Sequence, residues 1–584
     1  AVKEKAFPEE IYAEPLRILL TMLCYHKDAL PQGAPSSPAI TNIILYEFDE
    51  QVGQWCRERG VEYIGHLIED DGQHCRTGCS LGHYFRGLQY QDMSGIDDIG
   101  GQVLPQCEDG PGVNAMHMKR NGEFYHYGLA KLAQSSAAIE HRKQGRAMCE
   151  IFGAYGWAES GSDMKWLLDH LLVRGINHFV PHAFSLRNVD PDSPPHFNAK
   201  GYPQKDGYRM LAEYMQRMSD TLSKGTHICD AAILYHAELE WWNYDCMACE
   251  TPGKQLYDNL MDYDFVDLDS LASANVVDGR LVLNQETYPC LIVPEAKAYP
   301  PTVKDILNRL VRMGLDVIAI NYCPEDVSAR VVALDNLAED MRLHGYKHIN
   351  ATCNGGLTRF YHLQQEEGQV YMFFNESVTE TSVLQMDTAR CTVSALDLLN
   401  QKYYTLPAKD DKVSIMLEPY QSIILFVGES KAYPLLEEFE MTQMNTDFVW
   451  DISLYDTVEE KVVKEYKDVT ELFNLNGYNA CPNFTGKATY STKFTLDKTV
   501  GNMQLRIFAE GQTVEVSVNG EPTELKICNP YIFDISDKVH EGENTLEITL
   551  CNTLANKIDE KYTAYLPIYA GGMIELPHIY IKKA

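Results

Sequence analysis

Two glutamates in this sequence each follow a short apolar run. Glu69 comes directly after VEYIGHLI, and Glu150 ends the apolar part of GRAMCEIFG. If both runs are strands of βα units, their carboxyl ends meet at one rim, where barrel enzymes build their active sites. Glycoside hydrolysis requires two such carboxyl groups, one donating a proton to the leaving oxygen and one acting as base or nucleophile. The pattern therefore predicts Glu69 and Glu150 as a catalytic pair.

Other polar and aromatic residues follow predicted strands in the same way. Their side chains are suited to hydrogen bonding with sugar hydroxyls, and an indole ring is suited to stacking on a sugar. The alternative is structural, because an acidic run such as EDD also caps helices and rim residues also satisfy one another. The predicted substrate-binding residues are Asp70, Asp97, Asp98, Trp157, Asn177, His178 and His182.

Histidines and cysteines near Glu69 raise the question of a metal site. Zinc sites normally show tightly paired ligands, and the spacing in this segment fits that pattern poorly. Cys246 and Cys249 have the right local spacing but no second pair nearby, which favours packed or free thiols. We therefore predict no metal ligands. The residues considered near Glu69 are His66, His74, Cys75, Cys79 and His83.

Motifs of several other enzyme classes are absent from the sequence. It contains no Gly-x-Ser-x-Gly elbow, no Walker loop and no Gly-x-Gly-x-x-Gly fingerprint. Esterases, nucleotide hydrolases and dehydrogenases commonly carry these motifs. Their absence favours the two-carboxylate interpretation.

Changes in hydrophobic pattern divide the 584 residues into five predicted regions. Residues 1–60 are helical in pattern. Residues 61–225 alternate short apolar runs with amphipathic helices, which predicts a (β/α) barrel-type catalytic domain. Residues 226–350 repeat the βα theme as a small flavodoxin-like domain. Residues 351–430 and 431–584 contain successive strands separated by turns, which predicts two β-sandwiches.

Composition limits the classes of partner. Hydrophobic residues make up 45% of the chain, and 50 basic against 83 acidic residues give a net charge of −33. Such a field repels phosphate backbones and anionic lipids, so we expect no nucleic-acid or membrane partner, whereas a neutral sugar is unaffected. No apolar run approaches the roughly 20 residues of a membrane helix, and no signal peptide is evident. These features, with scattered cysteines, favour the cytoplasm, with the periplasm or secretion as alternatives.

Several segments resemble bacterial glycoside hydrolases. The stretch CEIFGAYGWAESGSDMKWLLDHLLVRGINHFVPHAFS and the later DGRLVLNQETYPCLIVP resemble family-106 α-L-rhamnosidases and, more loosely, family-42 and family-2 β-galactosidases. Residues 500–580, with VEVSVNGE and HEGENTLEITLCNTLAN, resemble the galactose-binding β-sandwich of family-2 enzymes. The resemblance implies a multidomain α/β plus β protein with a (β/α)8-type barrel, a Rossmann-like domain and C-terminal sandwiches.

The resemblance also implies roles for the two glutamates. Glu69 would lie on the fourth barrel strand as general acid, and Glu150 would be the nucleophile of a retaining enzyme or the base of an inverting one. The implied reaction is removal of a terminal α-L-rhamnoside or β-galactoside from plant-type glycans. The rhamnosidase-type family also implies a calcium ion near the sugar, although the sequence contains no recognisable calcium-binding loop.

Residues 1–60 depart from this family. The segment DALPQGAPSSPAITNIILYEFDEQ resembles the palm of bacterial reverse transcriptases, but the Tyr-x-Asp-Asp motif that should follow is absent. We therefore expect no polymerase activity, since that chemistry needs paired aspartates to hold two metals.

The foreign N-terminal segment has a consequence for the barrel. If VEYIGHLIED is the fourth barrel strand, as the resemblance implies, this segment replaces the barrel elements before it. The barrel is then expected to be incomplete or rebuilt, with its edge covered by residues 1–60 or by a second copy of the chain. A homo-oligomer is therefore expected. The alternative function is that of a catalytically impaired carbohydrate-binding protein produced by gene rearrangement.

Overall fold

The computed structural model describes most of the chain. The ranges are 37–66, 82–108, 111–113, 119–185, 194–243, 245–388, 391–428, 433–436, 440–497, 501–558 and 565–582. Two of the predicted site residues, Glu69 and Asp70, lie outside these ranges.

The first region contains a parallel sheet of three strands in the order β1-β4-β5. Helices follow β1, β4 and β5 in the chain, and a π-helical turn, Phe124–Leu129, leads into α3. The strands are β1 Ser94–Asp98, β2 Pro111–Val113, β3 Lys119–Asn121, β4 Ala147–Ile151 and β5 His178–Pro181; the helices are α1 Ser37–Glu58, α2 Tyr84–Gly87, α3 Ala130–Ile139, α4 Gly161–Leu172 and α5 Lys205–Leu222.

The second region is a five-stranded parallel sheet in the order β14-β13-β12-β7-β8. Counted in chain order this is 2-1-3-4-5, the order of flavodoxin-like sheets. Strands β9 to β11 form a short antiparallel sheet, and β6 joins the next sheet. The elements of this part of the chain are β6 Thr226–His227, β7 Ala231–Leu234, α6 Ala237–Asn243, α7 Glu250–Tyr257, β8 Tyr263–Val266, α8 Leu268–Ser273, β9 Asn275–Val277, β10 Arg280–Leu283, β11 Glu286–Tyr288, β12 Cys290–Val293, α9 Pro301–Arg312, β13 Asp316–Ile320, β14 Arg330–Val332 and α10 Leu337–Leu343.

The third region is a β-sandwich made from a six-stranded sheet, β20-β19-β22-β17-β16-β6, and a three-stranded sheet, β15-β18-β21. The pairing of β6 with β16 means that residues 226–227 belong to this sandwich. The remaining strands are β15 Ala351–Asn354, β16 Thr358–Gln365, β17 Gly368–Asn375, β18 Ser382–Asp387, β19 Thr392–Asp397, β20 Lys402–Thr405, β21 Lys412–Leu417 and β22 Ser422–Gly428.

The last region is a second sandwich with sheets β23-β32-β27-β30 and β25-β24-β26-β31-β28-β29. Burial alternates along β26, as expected of a strand with one face toward a core. The strands are β23 Met441–Met444, β24 Trp450–Asp456, β25 Lys461–Val469, β26 Gly486–Leu496, β27 Met503–Phe508, β28 Thr513–Val518, β29 Glu521–Pro522, β30 Tyr531–Asp534, β31 Gly542–Cys551 and β32 Glu575–Lys582.

Helix α3 joins the first two sheets. All ten of its residues are buried, and its sequence, AKLAQSSAAI, consists mainly of small side chains that let β1, β4 and β8 approach closely. The buried ammonium of Lys131 lies 3.0 Å from Asp262 and 3.5 Å from Asp264, at the start of β8. One hydrophobic core therefore runs through both regions.

A buried ionic network attaches the first sandwich to the end of helix α4. The Glu376 carboxylate accepts hydrogen bonds from Arg174 Nη1 at 2.6 Å and from Arg359 Nε at 3.0 Å. It also lies 2.7 Å from His170 Nδ1. These partners hold the pKa of Glu376 well below its usual range, against the opposing effect of burial.

The edge of the first sheet differs from our expectation. The run beginning at residue 61 is predicted to be a buried strand, but residues 61–66 form no strand and are exposed or half-buried. They lie beside β1 all the same, because Asp92 N donates to Tyr63 O at 2.9 Å and Gly95 packs on the Gly65 carbonyl. Helix α1 packs nearby through Arg57 and Asp92. No closed barrel is present among the described residues.

No helix in the described ranges is long and apolar enough to cross a membrane. The cysteines in these ranges are free thiols.

Candidate active site

The carboxyl ends of β1 and β4 bring two acidic residues together. Asp97 and Glu150 are in-register partners on these neighbouring parallel strands, so their side chains point to the same face of the sheet. Strands in a sheet lie about 4.8 Å apart, which sets the spacing of the two α-carbons. Asp97 is 9% exposed and the Glu150 side chain is 29% exposed, so one acid is buried and its neighbour faces solvent.

His66 is the hydrogen-bond partner of Glu150. Its Nε2 atom lies 3.1 Å from Oε2 of Glu150. The segment that carries His66 can approach because residue 95 is glycine: a Cβ there would lie 1.9 Å from the Gly65 carbonyl oxygen. The backbone of β1 thus positions an imidazole over the end of β4.

The two carboxyl groups have opposite pKa shifts. The hydrogen bond from His66 lowers the pKa of Glu150, with further contributions from the charges of His66 and His182 that together outweigh burial. Burial raises the pKa of Asp97 to about 7, assisted by the negative charge of Glu150 and opposed by His66. Near neutral pH the site therefore holds one ionised carboxylate beside one carboxyl group that is substantially protonated. Environments that separate two pKa values in this way assign acid and base roles.

The loop after Glu150 is held in an unusual backbone conformation. Phe152 and Ala154 have φ values of 78° and 58°, which is costly for side chains larger than glycine. Phe152 is completely buried against Phe197, and a Cβ on Gly153 would lie 3.1 Å from the His182 ring. The packing of this loop places His182 next to the end of β4.

Three other predicted residues lie around this rim in different environments. His182 follows β5, and its backbone N donates to Ile151 O at 2.9 Å. Asp98 points to the opposite face from Asp97, is fully buried, and accepts a hydrogen bond from Tyr155 at 3.0 Å. Trp157 is buried against His196 and Tyr202, so its ring does not present an open stacking face.

Asn177 and His178 lie at the other end of the sheet. Asn177 Oδ1 accepts from Ala147 N at 3.0 Å, at the start of β4, and its Nδ2 donates to Gly145 O at 2.8 Å. His178 pairs with Met148 in the register of β4 and β5 and contacts Asn177 at 2.8 Å. The prediction that both lie at the sugar-binding rim is corrected here: β5 begins at His178, and a parallel strand carries its rim residues where it ends.

Sequence reasoning missed a third acidic group. Glu159, in the loop between β4 and α4, is 1% exposed, and neither of its carboxylate oxygens has a hydrogen-bond partner among the described residues. Burial raises the pKa of Glu159 well above its usual range, and the charges of Asp163 and Asp98 add to the shift. No feature of the segment GWAES distinguishes this side chain from an exposed helix-capping acid.

The described residues around Glu150 do not form a calcium site. Calcium takes six to eight oxygen ligands, whereas the Glu150 carboxylate is hydrogen-bonded to the His66 imidazole and has Asp97 as its in-register carboxylate neighbour, so the described residues here supply too few oxygen ligands. We therefore assign no step of the chemistry to calcium. Two groups of buried metal-ligating side chains occur elsewhere in the described ranges, one around His227 and one around His236.

Comparison with known proteins gives an extensive structural likeness. The rhamnosidase from Novosphingobium sp. PP1Y superposes on 93% of this chain with a TM-score of 0.69 at 16% sequence identity. The match covers 56% of that rhamnosidase, so this chain spans about half of its length. The likeness establishes the fold.

Two further matches are more remote or shorter. A variant of Gan42B, a GH42 β-galactosidase from G. stearothermophilus, matches 73% of each chain with a TM-score of 0.49 at 9% identity. The retron Ec86 reverse transcriptase of Escherichia coli is 38% identical over 52 residues, which are 9% of this chain and 16% of that protein. No protein-family model matches the chain.

Proposed function

We propose that this protein is a glycoside hydrolase that removes a terminal sugar, of the α-L-rhamnoside or β-galactoside type, at the rim formed by β1 and β4. The observation that carries the proposal is the in-register pair of Asp97 and Glu150, whose pKa values are displaced in opposite directions. The rhamnosidase-like fold supports a carbohydrate substrate. The strongly negative chain is compatible with a neutral sugar.

The chemistry follows from the protonation of the pair. In the proposed reaction, ionised Glu150 attacks the anomeric carbon or removes a proton from an attacking water molecule. The bond between the anomeric carbon and the leaving oxygen breaks, and that oxygen takes a proton from an acid on the opposite side. Asp97 supplies this proton in the pair seen here, whereas the sequence analysis gives that role to Glu69.

The stereochemical outcome depends on the distance between the two carboxyl groups and therefore helps to decide between Asp97 and Glu69 as the acid. Retaining enzymes hold their carboxyl groups about 5–5.5 Å apart and inverting enzymes hold them about 6.5–9.5 Å apart. Neighbouring in-register strands favour the shorter separation for Asp97 and Glu150. We therefore propose a retaining reaction in which Glu150 forms a glycosyl ester and water, deprotonated by the same acid residue now acting as base, then hydrolyses that ester and releases the sugar. Proton NMR of the first-formed anomer would test it.

The experiment is an assay with 4-nitrophenyl α-L-rhamnoside and β-D-galactoside. Wild type should turn over one of them, and Glu150→Gln should lose at least about a thousandfold in kcat/KM. Asp97→Asn and Glu69→Gln are compared, and the one that loses activity on poor leaving groups identifies the acid. Glu62→Gln is the matched control, because Glu62 is on the same segment as His66 but pairs with Arg146. Unchanged activity in Glu150→Gln would refute the assignment.

A carbohydrate-binding protein without turnover is the second candidate. The observation that favours it is the open face of the first sheet, where Val180, the in-register neighbour of Glu150, is 46% exposed. A sugar could then bind without the enclosure that excludes water from a reacting bond. Sugar binding by calorimetry, with no turnover of any aryl glycoside, would select this function.

A further inference from the structure

A polar cavity opens at the end of the first sheet that lies opposite Glu150. Its volume is about 300 Å³, and it lies where α3, the hairpin of β10 and β11, and strands β6 and β16 come together. Asn177, just before β5, is part of its wall. Ligand-binding pockets have volumes of about 300–1,000 Å³, so this cavity has the size for a small ligand such as one sugar ring. The reaction proposed at Glu150 makes no use of it.

The floor of the cavity contains a tyrosine hydroxyl that is open to a ligand. Tyr361, on β16, is 4% exposed and lines the cavity. Its hydroxyl makes no hydrogen bond to the residues that the structure describes, although its ring stacks on His227 with the centroids 4.7 Å apart. Burying a hydroxyl without a hydrogen bond costs free energy, and a polar ligand in the cavity removes that cost.

Glu286, the first residue of β11, supplies a second polar group to the cavity. It is 6% exposed, and burial raises its pKa to about 8 against the opposing charge of His227. The carboxyl group is therefore mainly protonated near neutral pH, so it donates one hydrogen bond and accepts others. Sugar hydroxyls, which are both donors and acceptors, match this combination.

The charges beneath the cavity cancel. Against the opposing effect of burial, Asp264 and Asp262 raise the pKa of His227 to about 10, so its ring is protonated and has no lone pair for a metal ion. The two carboxylates lie 3.3 Å and 2.8 Å from the ring nitrogens. Lys131 pairs with the same two carboxylates, so two positive groups face two negative ones. A neutral polar ligand fits this floor better than an ion does.

The mouth of the cavity is lined by exposed amide and hydroxyl side chains and leads into a wider cleft. Asn284 Nδ2 donates to Ala138 O at 3.0 Å, which attaches the hairpin turn to the end of α3. The cleft has a volume of about 990 Å³ and shares Gly225, Thr226 and Gln285 with the cavity. A sugar chain attached to a ring in the cavity has room to continue along this cleft.

We propose that this cavity is a second, non-catalytic sugar site, in which Tyr361 and Glu286 bind one ring of a neutral oligosaccharide whose chain continues past Gln285 into the cleft. Glu366 and Glu367 line that cleft and disfavour an anionic chain. The choice of a sugar among neutral polar ligands rests on the proposed function, whereas the position of the site does not. Binding at the end of the sheet opposite the rim leaves the rim free and keeps a long substrate attached between turnovers.

The first test is amide hydrogen exchange of the full wild-type chain, with and without L-rhamnose or D-galactose. We expect one of these sugars to slow exchange at residues 223–227 and 284–286, which border the cavity. Slower exchange at residues 150–152 reports the rim, so the two sites are read separately. Absence of protection around the cavity would overturn the proposal, even where the rim is protected. Protection of the cavity alone, with no turnover, would refute the function proposed for Glu150 and leave the cavity site standing.

Tyr361→Phe tests the same site by removing one oxygen atom. Because that hydroxyl has no hydrogen-bond partner among the described residues, the variant should fold and leave turnover at the rim unchanged. The sugar concentration that gives half of the protection should rise about threefold to tenfold, the contribution of one hydrogen bond. Tyr371→Phe is the matched control on the neighbouring strand β17, where the ring stacks on His362. Wild-type protection in Tyr361→Phe would overturn the proposal.

Discussion

His66 Nε2 and Glu150 Oε2 lie 3.1 Å apart although 84 positions separate them in the chain. The contact joins a segment at the edge of the sheet to the end of β4. It also keeps Glu150 ionised, because hydrogen bonding to a carboxylate stabilises its charged form. The protonation state of the candidate site thus depends on packing between Gly65 and Gly95.

Replacing His66 should change the pH dependence of the site. In His66→Ala we expect the pKa of Glu150 to rise, because burial, which raises it, is no longer opposed by the hydrogen bond. The acid limb of the kcat/KM profile should therefore move to higher pH, and NMR titration of labelled glutamate should report the same direction. His178→Ala is the control, since His178 is at the other end of β5. Equal profiles for wild type and His66→Ala would contradict the assigned interaction.

Gly95→Ala should disrupt the same contact from the opposite strand. The added Cβ would lie 1.9 Å from Gly65 O, which is a backbone atom and cannot rotate away. We expect residues 61–66 to be displaced, with loss of turnover of at least tenfold and a lower unfolding temperature. Gly501→Ala, where nothing lies within 4 Å of the new Cβ, should leave both measurements unchanged. A fully active Gly95→Ala would show that this packing does not position His66.

Asp97 should make the folded protein less stable as pH rises. Its pKa is raised to about 7 from an ordinary 3.8, so the folded state binds the proton more tightly than the unfolded state. Its contribution is fully present below about pH 4 and is lost as pH rises to about 7, on the order of 4 kcal/mol. Asp97→Asn should remove that dependence and be more stable than wild type at pH 8 by chemical denaturation. The exposed Asp305→Asn should keep the wild-type slope; a wild-type slope in Asp97→Asn would refute the shift.

Glu376→Gln should strongly destabilise the protein. It leaves the buried guanidinium groups of Arg174 and Arg359 without their shared carboxylate, and breaking a buried ion pair costs about 3–5 kcal/mol. The midpoint of guanidinium unfolding should fall, and the first sandwich should exchange its amide protons faster. Glu380→Gln, on the exposed loop beyond β17, is the control. An unchanged midpoint would mean that the network contributes no net stability.

Most regular elements follow from local patterns. The run YPCLIVP predicts the buried strand found as β12, GRAMCEIFG predicts β4, and the segment TVKDILNRLVRMG predicts α9. These elements are recoverable because a continuous apolar run or a 3.6-residue period is a property of neighbouring residues. The prediction of a strand at residues 61–66 is wrong for a related reason. The apolar pattern there resembles a strand, but strand pairing depends on hydrogen bonds to a distant segment, which neighbouring residues do not determine.

The composition of the chain, the position of Glu150 at the end of a buried strand, and the acidic residues at the end of β1 were determined by the sequence alone. Tertiary structure decided that Asp97 and Glu150 are in-register neighbours, that His66 reaches Glu150, that Asn177 and His178 lie at the opposite end of the sheet, and that His236 lies beside Cys249. The physical reason is that strand register, burial and charge separation depend on contacts between residues far apart in the chain. Periodicity reports which face a residue occupies, but pKa values and ligand sets depend on what packs against that face.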